Sequence, residues 1–173
     1  MNKTTMLLST AALIALAGCS KKPPANLPPP PPTSTTTAPD SGTGSTDTTN
    51  GVVPGSRADM LAQAGTDTVH FATDSSDVDS EASAILTRQA AWLQKYPNVR
   101  VTVEGHCDER GTREYNLALG DRRANAAKNF LVNAGVSPSR ISVISYGKER
   151  PVATGSDEDS WAQNRRAVTV VPQ

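Results

Sequence analysis

Ionisable side chains are concentrated in residues 104–112, which read EGHCDERGT. His106, Cys107 and Asp108 are the residue types of a nucleophilic triad, but neighbouring side chains of an extended chain point to opposite sides. Cys107 therefore cannot readily use His106 as its base. The carboxylates of the segment also fit no spacing of general acid and base that hydrolysis would need. We therefore predict a binding loop and a protein that is not an enzyme.

Metal ligation is a second chemistry that this segment could offer. The sequence holds two histidines and two cysteines, and His70 and His106 come with no pair of cysteines at ligand spacing. We therefore predict no metal and no cofactor, and we expect both histidines to make local hydrogen bonds in loops or at strand edges. The charge balance, 17 Lys and Arg against 17 Asp and Glu, argues against a nucleic-acid partner.

The elements on either side of the segment must position it. Val99, Val101 and Val103 alternate with polar residues, which predicts a strand that Gly105 ends. Apolar and small residues recur every three or four positions over residues 112–134, which predicts a helix with one buried stripe. Functional groups are commonly carried by loops between such rigid elements.

Similar patterns along the rest of the C-terminal part complete the predicted fold. A weakly helical segment is expected at residues 57–64, a strand at 68–71, a helix at 80–96, strands at 141–146 and 167–171, and a short helical turn within 147–161. The order β-α-β-α-β-β predicts an α+β fold, with a four-stranded sheet and helices packed on one face.

The N-terminal part follows different rules. Residues 6–17 form an uncharged apolar run that is shorter than the ~20 residues of a spanning helix, so residues 1–18 are predicted to be a signal peptide. Residues 16–19 (LAGC) resemble the lipobox of bacterial lipoproteins, which implies that Cys19 is acylated with diacylglycerol and palmitate. The alternative is an ordinary secretory signal with an incidental cysteine. Ser20 in place of the Asp of inner-membrane lipoproteins favours the outer membrane.

Residues 19–56 are rich first in proline and then in Ser, Thr and Gly, with almost no large apolar side chains. Such a segment cannot offset the entropy of ordering, so we predict a disordered tether without partners of its own. With Cys19 acylated, Cys107 is the remaining thiol and no intramolecular disulfide is expected.

Four motifs follow one another in the C-terminal part: GHCDERGT at 105–112, YNLALGDRRA at 115–124, SYGKERP at 145–151 and NRRAV at 164–168. They closely resemble the signature of OmpA-like peptidoglycan-binding domains, and specifically the family of peptidoglycan-associated lipoproteins of the Tol-Pal system. The resemblance implies that residues 57–173 form an OmpA-like domain. It also implies that the ligand is meso-diaminopimelate of the peptidoglycan stem peptide, whose free end carries an ammonium and a carboxylate.

By the same resemblance, Asp108 takes the ammonium and the guanidinium fork of Arg123 holds the carboxylate. Without the family, a helix-capping aspartate and a surface arginine in a salt bridge would be expected. Asp74 and Leu119 match positions that contact the ligand through the backbone, and Asn116 is expected to brace the loop.

The sequence departs from the family pattern at Thr73, where phenylalanine forms one apolar wall of the pocket. Gly120 and Ala127 replace a serine and a valine and are compatible with helix packing. Residues 164–166 (NRR) are expected to be structural, beside an edge strand.

The implied function is non-covalent anchoring of the outer membrane to the cell wall by a lipoprotein that faces the periplasm, with roles in envelope integrity and cell division. A β-propeller protein, TolB, is the implied partner, and the domain is expected to be a monomer. Two alternatives are a hydrolase of the wall and an OmpA-like module of a motor or secretion complex, which would normally bring a membrane-spanning segment.

Overall fold

The computed structural model describes residues 51–172. The predicted signal peptide, Cys19 and nearly all of the predicted tether lie outside these residues. Within them, no helix combines the length and apolar character needed to cross a membrane. The elements are α1 (Arg57–Ala64), β1 (Thr68–His70), α2 (Ser80–Lys95), β2 (Val101–His106), α3 (Arg113–Asn133), a 3-10 turn (Pro138–Arg140), β3 (Ile141–Gly147), α4 (Glu158–Asn164) and β4 (Arg166–Val170).

The four strands form one mixed sheet in the order β1-β4-β2-β3. β2 and β3 are parallel, and α3 supplies the long crossover that parallel neighbours require. β4 is antiparallel to both of its neighbours, β1 and β2. The last strand of the chain is therefore inserted into the middle of the sheet. The expectation that residues 164–166 lie beside an edge strand is wrong, because the edges are β1 and β3.

The core lies between the sheet and the helices. Val101 and Val103 are buried on β2 while the intervening Thr102 is only partly buried, so one face of the strand packs against α3. Leu86 and Leu93 of α2 complete the same cluster, both fully buried. This arrangement confirms the predicted α+β fold with helices on one face of a four-stranded sheet.

Local signals in the sequence explain where the helices begin. Asp79 caps α2 by accepting a hydrogen bond from the backbone N–H of Ala82 at 2.8 Å, and Thr112 caps α3 by accepting from that of Tyr115 at 3.2 Å. Such caps satisfy backbone donors that a helix leaves unpaired at its start. The cap at Thr112 sets where the loop after β2 stops and α3 begins.

The end of β2 differs from the prediction. The strand does not stop at Gly105, because Gly105 pairs with Ala167 of β4 and Ser145 of β3 and the strand continues to His106. A glycine is required here for another reason: a Cβ at Gly105 would overlap the carbonyl oxygen of Gly120 in α3. Strand and helix therefore approach each other backbone to backbone, and the following loop starts from a fixed position.

Candidate functional site

The site loop, residues 107–112, connects β2 to α3 and is held by side chains from outside it. Asn116 Nδ2 donates to the carbonyl oxygens of Arg110 at 2.6 Å and Thr112 at 3.0 Å. Lys148 Nζ donates to two further carbonyl oxygens of the loop, at 2.7 and 3.0 Å. Asn116 therefore holds the loop in the structure, and its part in binding peptidoglycan stays a prediction. The loop is a rigid support, because its backbone acceptors are bound by two anchored side chains.

A cleft of about 290 Å³ lies between the site loop and the loop that follows β1. It is lined by Thr73, Asp74, Arg110, Gly111 and Tyr115. Asp74 has a φ of 54°, in the left-handed region that non-glycine residues seldom adopt. Its Oδ1 accepts a hydrogen bond from the Tyr115 hydroxyl at 3.1 Å. Strained backbone of this kind is often found at binding sites.

Asp108 is nearly enclosed, with 10% of its side chain exposed. Arg110 Nε donates to Oδ1 at 3.1 Å and Arg110 Nη2 donates to Oδ2 at 2.8 Å, so the two side chains form a bidentate ion pair. Burial raises the pKa of Asp108, but the hydrogen bonds from Arg110 and the charge of Arg165 outweigh it and hold the pKa below its usual value. Asp108 is therefore an anion that already has a cationic partner.

The structure does not place Arg123 at the surface. The side chain is fully buried, and it donates through Nε to Ser75 O at 2.8 Å, through Nη1 to His106 O at 3.0 Å and through Nη2 to Ala72 O at 3.0 Å. The alternative of a surface arginine in a salt bridge is therefore wrong. Arg123 fastens the loop that carries Asp74 to the end of β2. Its contact with a ligand carboxylate stays a prediction.

Arg110 is the cation that borders the cleft, and sequence reasoning did not single it out. Its side chain is 38% exposed, and its guanidinium lies 4.1 Å from the centre of the Trp161 ring. Its backbone N–H also donates to Asp108 Oδ1 at 3.1 Å. A side-chain acceptor that bonds the N–H two residues later is a common turn of aspartate, so the D-x-R spacing was the available signal.

Arg165 stands behind Asp108 and is held rigidly. Its Nε donates to Phe71 O at 3.0 Å and its Nη2 to Glu158 Oε1 at 2.8 Å. Its Nη1 lies 3.7 Å from Asp108 Oδ2 and has no hydrogen-bond partner within residues 51–172. Only 8% of this side chain is exposed. Arg165 thus supplies positive charge to Asp108 from the protein side.

Cys107 and His106, two of the residue types of a nucleophilic triad, are both buried. Cys107 is buried and its thiol donates to Asn116 O at 3.3 Å. Burial raises the pKa of this thiol, which disfavours the reactive thiolate. His106 is also buried, and neither ring nitrogen has a hydrogen-bond partner in the part of the chain that the structure describes. The local hydrogen bonds expected for His106 are therefore absent, because the residue closes β2 instead of lying in the loop.

The predicted site residues are only partly brought together. Asp74 lines the cleft, and Asp108 lies behind Arg110 at its wall. Thr73 also lines the cleft, so the position at which the sequence departs from the family pattern does form part of the wall. Leu119 lies inside α3 with 3% of the residue exposed, and its predicted backbone contact with a ligand stays a prediction.

The sequence of this chain is similar to those of known proteins. The OmpA family matches residues 70–165. A peptidoglycan-associated lipoprotein of Rhizobium meliloti is 57% identical over 118 residues, which are 68% of this chain and 66% of that protein, or just under two thirds of its length. One of Mesorhizobium japonicum is 46% identical over 171 residues, which are 99% of this chain and 94% of that protein.

Solved structures show the same similarity. The crystal structure of the peptidoglycan-associated lipoprotein from Burkholderia pseudomallei superposes with a TM-score of 0.63 at 42% identity, covering 66% of this chain and 100% of that one. The C-terminal domain of Helicobacter pylori MotB superposes with a TM-score of 0.58 at 25% identity, covering 62% of this chain and 84% of that one.

Proposed function

The chain belongs to the OmpA family and, within it, to the peptidoglycan-associated lipoproteins, and we propose that it anchors the outer membrane to peptidoglycan without a covalent bond. The ligand is the meso-diaminopimelate residue of the stem peptide. One observation carries the proposal: a cleft between two loops is lined by Asp74 and Arg110, and Arg110 is paired with the carboxylate of Asp108. A zwitterionic ligand end needs one anion and one cation within reach of each other.

The residues of the proposed site divide the task. Asp108 binds the ammonium, because its carboxylate is ionised and little exposed to competing water. Asp74 and Leu119 contribute backbone groups, and Asn116 holds the loop in place. Arg123 supports the site by fixing the loop that bears Asp74. The family resemblance also gives Arg123 the contact with the ligand carboxylate. For this contact the ligand has to reach a guanidinium that already donates to three carbonyl oxygens.

The protein acts by binding and is not an enzyme. Its relatives are named as lipoproteins associated with peptidoglycan. The thiol of Cys107 is buried, hydrogen-bonded and raised in pKa, so it is unsuited to nucleophilic attack. These surroundings of the thiol argue against a hydrolase of the wall.

The remaining parts of the function concern the chain outside the domain. We propose that Cys19 is acylated and holds the protein in the outer membrane, with residues 19–56 as a passive tether and residues 57–173 facing the periplasm as a monomeric domain. TolB is the proposed protein partner within the Tol-Pal system, with roles in envelope integrity and cell division. The family membership supports these assignments, and the balanced charge of the chain offers nothing to nucleic acid.

Co-sedimentation with purified sacculi tests the proposed site. Asp108→Asn removes the anion with little change in size, and we expect binding to fall at least about tenfold, because a charge-assisted hydrogen bond contributes roughly 1.5–3 kcal/mol. Soluble stem peptide that contains diaminopimelate should elute the wild-type protein. Asp121→Asn, on the exposed side of α3, is the matched control and should bind normally. Normal binding by the Asp108 variant would contradict the assignment.

A further inference from the structure

Strand β3 forms an edge of the sheet that is long and uncharged. It pairs with β2 on one side, and within residues 51–172 no strand pairs with it on the other. Its seven residues, ISVISYG, include no charged residue and no proline. Edge strands are usually protected by charges, by proline or by being short, because their unpaired N–H and C=O groups can bind a further strand. The opposite edge, β1, has three residues, so β3 is the edge that can accept a strand.

The cations on either side of β3 are bound within their own domain. The guanidinium of Arg140 donates to three carbonyl oxygens at the end of α2 and in the turn that follows it, at 2.8–2.9 Å. Lys148 Nζ donates to two carbonyl oxygens of the site loop, at 2.7 and 3.0 Å. A strand that pairs with β3 therefore meets an uncharged edge, and like charges on that strand's neighbours are not forced against free cations.

A second copy of β3 is a matching partner for this edge. An antiparallel pair centred on Ile144, the middle residue of the strand, places residues 141–147 opposite residues 147–141 of the other copy. Val143 packs against the core, so Ile144 points to the face of the sheet away from the helices. Ile144 is 39% exposed, and in this register the two Ile144 side chains lie directly opposite each other and cover one another. The edge is thus self-complementary, as a twofold interface has to be.

We propose that two copies of the protein pair through β3, antiparallel and centred on Ile144, so that their two sheets join into one. The added strand is held by main-chain hydrogen bonds, as in other cases of strand addition at a sheet edge. The cleft lined by Asp74 and Arg110 does not include β3, so both copies keep their proposed binding sites. A pair therefore presents two sites for peptidoglycan.

Attachment to one membrane is what brings the copies together. A single strand pair is small beside the about 1,200 Å² or more that stable interfaces bury, so the single domain stays a monomer in dilute solution, as in the proposed function. Lipid anchors at Cys19 hold the copies in one plane and raise their effective concentration. The pairing thus rests on the proposed anchor but does not depend on the proposed ligand.

Disulfide crosslinking of the acylated full chain, reconstituted in vesicles of phosphatidylethanolamine and phosphatidylglycerol, tests the register. Ile144→Cys places two thiols opposite each other on the twofold axis, within the Cα separation that a disulfide needs. Under mild oxidation we expect several-fold more crosslinked dimer from Ile144→Cys than from Ser142→Cys. Ser142 is exposed on the same edge, but in this register it lies four positions from its own copy, or about 13 Å along the strands.

His70→Cys measures random collisions, because His70 is exposed on the opposite edge strand. Buried Cys107 gives the background of the wild type. If Ser142→Cys crosslinks as well as Ile144→Cys, or if Ile144→Cys crosslinks no better than His70→Cys, the pairing through β3 is refuted.

Energy transfer between copies labelled at the C-terminus, in the same vesicles, tests the pairing without a new thiol. Ile144→Lys sets two ammonium groups against each other and should reduce the transfer several-fold, whereas Ile144→Val should keep it. Undiminished transfer in the Ile144→Lys protein would contradict the pairing. Both variants should still bind sacculi, since Ile144 lies outside the cleft. Loss of sacculus binding by the wild type would instead refute the proposed function, whatever the crosslinking shows.

Discussion

The end of β2 and the start of the site loop are held in place by different kinds of contact. On one side, Gly105 of β2 and Gly120 of α3 meet backbone to backbone, with Ser145 of β3 against Gly120. On the other side, Asp108 is held by ion pairs with Arg110 and Arg165. We call the first region the glycine contact and the second the charged rim. The glycine contact has no room for a side chain, whereas the charged rim is held together by side-chain charges.

The difference shows two ways in which a binding site is kept in position. Close-packed backbone transmits position because any displacement causes overlap. The carboxylate of Asp108 is nearly enclosed, so its charge needs partners with the opposite charge. The glycine contact therefore fixes the backbone before the loop, and Arg110 and Arg165 hold the charged side chain of Asp108.

Gly105→Ala should damage the glycine contact most. The new Cβ would overlap the carbonyl oxygen of Gly120, which is backbone and cannot turn away. Overpacking of a close-packed core costs about 1–3 kcal/mol and occasionally more, and we expect the upper end of that range. Chemical denaturation of the purified protein measures the loss.

Gly65→Ala is the control for that experiment. Gly65 ends α1 with a φ of 85° and has nothing within 4 Å of the Cβ position. Its substitution should cost only about 1 kcal/mol, for a side chain in the left-handed region. Equal losses at the two positions would show that β2 and α3 do not need their close approach.

Arg123→Ala should lower both the stability of the protein and its binding to sacculi. Its guanidinium bonds three carbonyl oxygens, at Ala72, Ser75 and His106. Loss of a partner leaves a buried acceptor unsatisfied at a cost of about 1–3 kcal/mol, so we expect the free energy of unfolding to fall by about 2 kcal/mol. Binding of sacculi should fall as well, because the loop bearing Asp74 loses its attachment.

The neighbouring Arg122 is exposed, and Arg122→Ala provides the comparison. It should change stability by less than about 0.5 kcal/mol. A fully stable Arg123→Ala protein that no longer binds sacculi would mean that Arg123 acts on the ligand directly and that its bonds to the loop are unimportant for folding.

His106→Leu should have the smallest effect at neutral pH. Leucine removes two ring nitrogens that have no hydrogen-bond partner within residues 51–172, so we expect a change below about 1 kcal/mol at pH 7. The variant should differ in acid. Burial, and then the charges of Arg166 and Arg150, lower the pKa of His106 to about 4.

The loss of stability in acid follows from the pKa of His106, which is 6.5 in the unfolded chain and about 4 in the folded protein. Between pH 6.5 and about 4 the unfolded chain binds a proton at His106 and the folded protein does not, so the wild type loses stability as the pH falls through this window. Asp108 has a lowered pKa and loses its contribution only below its usual value of 3.8. His106→Leu should lose much less stability between pH 6.5 and 4, as measured by thermal unfolding.

His70→Leu is the comparison for the pH experiment. Burial, and then the charge of Arg166, lower the pKa of His70, but this residue is exposed whereas His106 is buried. This variant should retain most of the acid loss of the wild type. If His106→Leu keeps the wild-type pH dependence, the buried histidine is not the group that titrates.

The elements were predictable because their signals are local. The alternation of Val101 and Val103, the helical spacing over α3 and the caps at Asp79 and Thr112 depend on residues that are near in sequence. The bracing role of Asn116 was also predictable from the family resemblance. The strand end at His106 was not, because Gly105 suggests a break unless the backbone of α3 is known to lie against it.

The charged residues divide in the same way. The sequence by itself determined the α+β order, the loop that carries Asp108 and the acidic and basic residue types at the site. Only the tertiary structure decided which arginine is buried and which one borders the cleft. Arg123 is enclosed because the loop after β1 folds over it, and Arg110 borders the cleft because it turns back on Asp108. Whether a charged side chain is buried and what it pairs with depend on segments that are distant in sequence. Residue type and spacing do not show which of these segments come together.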